Sequence, residues 1–128
     1  MERTYFFDTY ALIELLNGSE SYAGLRNCTI VTSKLNLMEI YTFFIKKGEK
    51  QKGDFYFDKF LVNCEEIPDS VLKLAVIFRT RFNTQVPKPK FTVSFVDAIG
   101  YVFARHLQMK FLTGDDAFKN LPNVEFVK

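Results

Sequence analysis

The sequence has no tryptophan, one histidine, two cysteines, four prolines and six glycines in 128 residues, and each shortage removes a class of explanation. Cys28 and Cys64 are too few and too far apart for a structural zinc motif, and both read as small buried hydrophobes. The lone His106 falls near the carboxyl end of a helical pattern, where a cation suits the helix dipole, so a serine or cysteine nucleophile would lack a histidine base. The glycines make no G-x-G-x-x-G after a strand pattern. The nearest approach to a P-loop runs from Gly48 to Gly53, but Asp54 follows where lysine is required. Long apolar runs are missing too, because charged residues break every hydrophobic stretch well before the roughly 20 residues of a membrane helix. Met1-Glu2-Arg3 leads into a strand pattern rather than a signal peptide, so the expectation is a cytoplasmic protein with no membrane contact. Neither sign of charge dominates. Seventeen Lys and Arg against fifteen Asp and Glu give a net charge of +2, which permits contact with a phosphate backbone without demanding it.

What the chain does have is apolar mass: 48% hydrophobic residues, with fifteen Phe and six Tyr. That is ample for the core of a single domain spanning residues 1–128, and part of the aromatic surplus is expected at a subunit interface. Strand patterns at Thr4–Phe7, Thr29–Val31, Lys110–Thr113 and Val124–Val127 alternate with helical ones. The first helix covers Tyr10–Leu15, with Thr9 as its cap, and the second runs from Lys34 to Lys47 and stops at Gly48. A solvated charged turn is expected at Lys50–Lys52, then a helix over Asp54–Val62, another opened by Pro68 and reaching about Phe82, and a loop over Asn83–Lys90 around Pro87 and Pro89. Ser94 caps a helix from Phe95 to about Gln108, and Asp116–Asn120 makes a helical turn. Strands alternating with helices argue an α/β sandwich with a mainly parallel central sheet.

Four acids stand out against this pattern. Asp8 and Asp115 leave the carboxyl ends of two apolar strand patterns, where ligands gather if those strands are parallel neighbours. Glu39 and Asp97 interrupt two hydrophobic helical segments. Local roles exist for some of them: Asp8 can cap the first helix, and Ser94 with Asp97 has the spacing of a capping box. Capping accounts for single positions and not for four, and Glu39 has no such role among Leu35, Met38 and Phe43. Carboxylates drawn together from four segments repel unless a cation lies among them, which points to a hard divalent ion such as Mg²⁺ or Mn²⁺. Phosphodiester hydrolysis is the reaction such a site suits best, since the ion can activate water, clamp a phosphate oxygen and offset leaving-group charge. Asp116 is either a further ligand or an acid at a helix start. Lys34, Lys46, Lys47, Arg79, Arg81, Lys88, Lys90 and Arg105 are candidate phosphate contacts.

The strings Phe6-Phe7-Asp8-Thr9, Leu37-Met38-Glu39-Ile40, Ser94-Phe95-Val96-Asp97-Ala98 and Phe111-Leu112-Thr113-Gly114-Asp115-Asp116-Ala117-Phe118 resemble, in order and spacing, the four acidic motifs of PIN domains. The resemblance spans essentially the whole chain. It implies a three-layer α/β/α sandwich and a metal-dependent endoribonuclease in which Asp8, Glu39, Asp97 and Asp115 hold one or two Mg²⁺ or Mn²⁺ ions. Thr113 matches the polar residue two places before the final acid and would orient the site or its water. Ala117 departs from the acid many members carry two places after that position, and Asp116 comes one place early. Among PIN domains the chain is most similar to the toxin of VapBC-type toxin–antitoxin pairs, which implies an RNA substrate, a small antitoxin partner and a homodimer. The alternative is a PIN-like module that binds RNA or protein without cleaving, which Ala117 supports. A phosphoryl-accepting signalling domain would need paired acids after the first strand, and Asp8-Thr9-Tyr10 lacks the pair.

Overall fold

The structure is a computed structural model that describes residues 3–87 and 89–128. Strands β1 (Thr4–Phe7), β2 (Thr29–Val31), β3 (Lys110–Thr113) and β4 (Val124–Phe126) form one sheet in the order β2-β1-β3-β4, with every neighbouring pair parallel. The expected mainly parallel sheet is thus parallel throughout. Among the described residues, five α-helices connect and cover the strands: α1 (Thr9–Leu16), α2 (Lys34–Lys46), α3 (Lys50–Phe60), α4 (Asp69–Gln85) and α5 (Phe95–His106).

Consecutive strand residues face opposite sides of a sheet, and here both sides are apolar because both are covered. Tyr5, Phe7 and Leu112 pack with Leu12, Leu37, Ile40 and Phe60 from α1, α2 and α3. Phe6 and Phe111 turn the other way, against Val71, Ala75, Ala98, Tyr101 and Ala104 from α4 and α5. The result is the three-layer α/β/α sandwich. Gly100 allows α5 to lie close on the sheet: a Cβ there would stand 3.0 Å from the Phe6 ring and 3.1 Å from the Phe111 ring. Among the described residues, no helix is long and apolar enough to cross a membrane.

Several boundaries differ from the sequence expectation. Asp8 rather than Thr9 caps α1, its side chain accepting from the Ala11 amide at 2.8 Å. Lys50–Lys52 is the first turn of α3 instead of a charged turn. Lys50 pairs with Asp54 one turn on at 2.9 Å, and Tyr41 donates to the same carboxylate at 2.8 Å, so the charges support the helix from its exposed side. The helix runs through Gly53, where a Cβ would press on Tyr41 and Phe44 of α2, so the glycine lets the two helices lie close. Helix α4 begins after Pro68 and continues to Gln85, past the expected end near Phe82; Asn83 and Arg79 near that end clasp Val93 through its backbone. A 3₁₀ segment at Glu20–Leu25, which no apolar periodicity announced, fills the way from α1 to β2. Cys28 and Cys64 are unpaired thiols, half-buried against the α1–α3 side of the core rather than fully enclosed. Lys88, among the candidate phosphate contacts, lies outside the described residues.

Candidate active site

From β1 the chain crosses to β2 on one side, and it later returns to β3 on the other side of β1. The carboxyl ends of β1 and β3 therefore flank the point where strand order reverses, the place where open parallel sheets form a crevice. Asp8 follows the end of β1, and Asp115 lies two residues beyond the end of β3. The amino end of α5 brings Asp97 to the same place. A cleft of about 360 Å³ is lined there by Asp8, Asp97, Asp115 and Asp116, with Tyr10, Phe91, Gly114 and Lys128 completing its walls. Gly114 is required by space: a Cβ at that position would lie 2.2 Å from the Tyr10 ring and 2.6 Å from the Val127 carbonyl oxygen. The chain turns from Thr113 to Asp115 beneath that ring.

Each carboxylate leans on a local donor. Asp8 is 3% exposed. Its Oδ1 accepts from the Ala11 amide and its Oδ2 from the Thr113 hydroxyl at 2.5 Å, while the Asp115 amide donates back to the same threonine oxygen at 3.0 Å. Thr113 thus ties the first acid to the last. Asp115 accepts from the Ala117 amide at 3.0 Å. Asp97 accepts from the Ser94 amide at 3.2 Å, and Ser94 Oγ accepts from the Asp97 amide at 3.1 Å, so the capping box read from the sequence is formed. Glu39 is half-buried and accepts from the Thr9 hydroxyl at 2.5 Å. Here the sequence expectation of an unpaired acid walled in by Leu35, Met38 and Phe43 is corrected, since Met38 is exposed and Glu39 has a partner. Asp116 is exposed and turns to Lys128, whose ammonium pairs with its Oδ2.

The carboxyl groups also feel one another. Burial pushes Asp8 up to about 8, opposed by the Thr113 and Ala11 hydrogen bonds and reinforced by the charges of Asp97 and Asp115. Asp97 is likewise raised, first by burial, with Asp115 and Glu39 adding to it against its bonds to Ser94. These couplings place all four acids in one electrostatic neighbourhood. Among the described residues, no three His, Cys, Asp or Glu side chains converge into a ready-made metal cage. Each of the four carboxylates turns an oxygen to a hydroxyl or an amide instead. An all-oxygen, partly buried set of mutually repelling carboxylates has the donor chemistry of a hard divalent ion.

Of the other sequence candidates, Arg79 bonds the Val93 carbonyl and lies over the Phe95 ring at 4.1 Å, while Arg81 and Arg105 line a separate groove between α4 and α5 with His106. Lys47 is engaged by Glu49 and the Phe43 ring. Two residues at or behind the acids escaped the sequence reading. Lys128 reaches the cleft only because β4 lies beside β3. Asn36 is 2% exposed and bonds Thr9; its signal was available, as an amide one turn before Glu39 in an apolar helix.

The PIN domain family model matches residues 5–124, and the chain belongs to that family. No curated protein matches it. Three solved structures are similar across nearly their whole length. A toxin–antitoxin complex from Klebsiella pneumoniae is 20% identical, with a TM-score of 0.71 over 94% of this chain and 95% of that one. VapBC2 from Rickettsia felis, bound to a DNA fragment from its promoter, is 19% identical, with a TM-score of 0.70 over 98% and 99%. VapC20 of Mycobacterium tuberculosis, a sarcin-ricin loop cleaving toxin, is 18% identical, with a TM-score of 0.73 over 97% and 99%. At these identities the likeness is one of fold.

Proposed function

We propose that this protein is a metal-dependent endoribonuclease and the toxin of a toxin–antitoxin pair. The observation that carries the reading is Asp8, a buried carboxyl at the switch point of a PIN sheet, raised to about 8 by burial and by Asp97 and Asp115. A group so placed is costly unless a function requires it. Asp8, Glu39, Asp97 and Asp115 would hold one or two Mg²⁺ or Mn²⁺ ions. When bound, such ions supply the Lewis acidity that activates water and offsets charge on the phosphate. The chain's own groups do the positioning: Thr113 fixes the Asp8 carboxylate, the Ser94 amide holds Asp97, and the Ala117 amide holds Asp115. Tyr10 and Phe91 wall the cleft on its apolar sides, and Lys128 at its edge offers a cation to an RNA phosphate.

The toxin assignment, with a small antitoxin partner and a homodimer, draws its support from the three similar structures and from exposed apolar residues Leu72, Leu74, Val76 and Ile77 gathered on α4. Sedimentation at micromolar concentrations tests the dimer. The direct test of the chemistry is cleavage of single-stranded RNA by purified protein with Mn²⁺, with Mg²⁺ and with chelator. Cleavage that persists in chelator would overturn the metal reading. A folded protein that binds RNA with either ion but leaves it intact would favour the alternative, a non-cleaving PIN-like binding module, for which Ala117 is the supporting residue.

A further inference from the structure

Glu39 is the acid least constrained by its backbone, since it projects from the middle of α2 on a long side chain and does not line the cleft with Asp8, Asp97, Asp115 and Asp116. Its orientation comes from elsewhere. Thr9 Oγ1 donates to Glu39 Oε1 at 2.5 Å, and Asn36 Nδ2 donates to Thr9 Oγ1 at 3.2 Å. Ser33 Oγ donates to Asn36 Oδ1 at 2.6 Å and accepts, more weakly, from the Asn36 amide at 3.4 Å. Every side-chain donor in this relay points the same way, from Ser33 through Asn36 and Thr9 to the carboxylate. The direction is fixed by chemistry: a carboxylate can only accept, so Thr9 must donate to it, and the Thr9 oxygen then accepts from the amide nitrogen of Asn36. A flipped Asn36 amide would set its oxygen against the Thr9 oxygen, whose only proton is given to Glu39, and that bond would be lost. Asn36 is almost wholly buried, at 2% exposed, so the loss would not be made good by water.

The connection also explains why Asp8 and not Thr9 caps α1. A threonine in a first helical turn ordinarily spends its hydroxyl on nearby backbone. Here Asp8 takes the cap, and Thr9 is released to reach across to α2. We infer that Thr9 and Asn36 are positioning residues that hold the Glu39 carboxylate by Oε1 in the orientation in which it would serve a divalent ion. The inference rests on the proposed role of Glu39 as a ligand and adds two residues through which that ligand is tuned, in the manner of hydrogen bonds behind a metal site.

The test measures Mn²⁺ affinity by calorimetric titration of the folded protein without RNA, below its melting temperature, beside a cleavage assay. Thr9→Val and Asn36→Leu should each weaken Mn²⁺ binding by about tenfold or more, and Thr9→Ser should restore it to within about twofold of wild type. In a Glu39→Gln background, whose three aspartates keep a weaker site, Thr9→Val should cause no further loss. A purely structural role for the network predicts lower melting temperatures with unchanged affinity, which would overturn the inference. Equal weakening in the Glu39→Gln background would overturn it also, because the effect would not pass through Glu39. A folded wild type that binds no Mn²⁺ would overturn the metal reading itself and this inference with it, and the wild-type titration alone identifies that case. Should Asn36→Leu fail to fold, Thr9→Val still decides, since Thr9 is half-exposed and valine matches its shape.

Discussion

Thr113 donates its hydroxyl to Asp8 at 2.5 Å across 105 residues of sequence, joining the ends of β3 and β1 in a single buried hydrogen bond. The same oxygen accepts from the Asp115 amide. Thr113→Val keeps the shape and deletes both bonds, so it should destabilise the protein by about 1–2 kcal/mol and slow RNA cleavage by roughly 10–100-fold. Thr113→Ser should recover most of both. Urea denaturation and cleavage rates in Mn²⁺ check the pair, and wild-type cleavage by the valine variant would detach Thr113 from the site.

The raised Asp8 carboxyl makes stability depend on pH with a definite sign. Unfolded, it titrates near 3.8; folded and metal-free, near 8. Between those values the folded protein holds a proton that the unfolded chain has released, so stability falls as pH rises. The contribution is complete below about 4 and is lost through about 8. Metal-free melting temperature should therefore drop between pH 5 and pH 8.5, and Asp8→Asn should flatten the slope. Identical slopes for wild type and variant would mean that Asp8 is not the group responsible.

Glu39→Gln retains an oxygen that can accept from Thr9 and removes the charge. The fold should survive with a melting temperature near that of wild type, while cleavage falls by on the order of a hundredfold or more. Circular dichroism and an RNA cleavage assay together decide, and near-normal turnover would return Glu39 to a structural role.

Asp97 belongs at once to a capping box and to the acidic cleft, and the two roles predict opposite effects. Burial, Asp115 and Glu39 disfavour its charged form. Asp97→Asn should then raise metal-free stability by about 1 kcal/mol while abolishing cleavage, the trade-off expected where function opposes stability. Loss of stability in chelator with activity preserved would assign Asp97 to the cap alone.

Gly114→Ala would drive a methyl into the Tyr10 ring and the Val127 carbonyl, neither of which can retreat without moving β4 or α1. A loss of about 3 kcal/mol or more is expected, together with displacement of Asp115. Gly100→Ala meets only ring edges at 3.0–3.1 Å and should cost less. Denaturation midpoints of the two variants, measured side by side, test the order.

Much of the candidate site is legible in the sequence, because its signals are local. An apolar run ending in an acid marks Asp8 and Asp115 as residues leaving buried strands, and Ser94 with Asp97 announces its capping box by spacing alone. The charged start of α3 has no such signal: Lys50–Lys52 lacks apolar periodicity, and what makes it helical is pairing with Asp54 and support from Tyr41 on α2. Lys128 at the cleft and the bond from Thr9 to Glu39 carry no such signal either. They depend on which strand lies beside which, and on which partner a hydroxyl finds.

The sequence by itself determined the alternation of strands and helices, the apolar faces that bury the sheet on both sides, and which acids stand as candidates for a site. Tertiary structure alone decided that β1 and β3 are neighbours with their carboxyl ends at a switch point, that Asp8 is buried deeply enough to hold its proton to about pH 8, and that Asn36 stands behind Thr9 and Glu39. The reason lies in the range of the forces. Hydrophobic periodicity and capping act over a few residues and are written in adjacent letters. Desolvation and charge coupling act between groups as far apart in the chain as Asp8 and Asp115, and they acquire a value only when folding sets the distance and excludes the water.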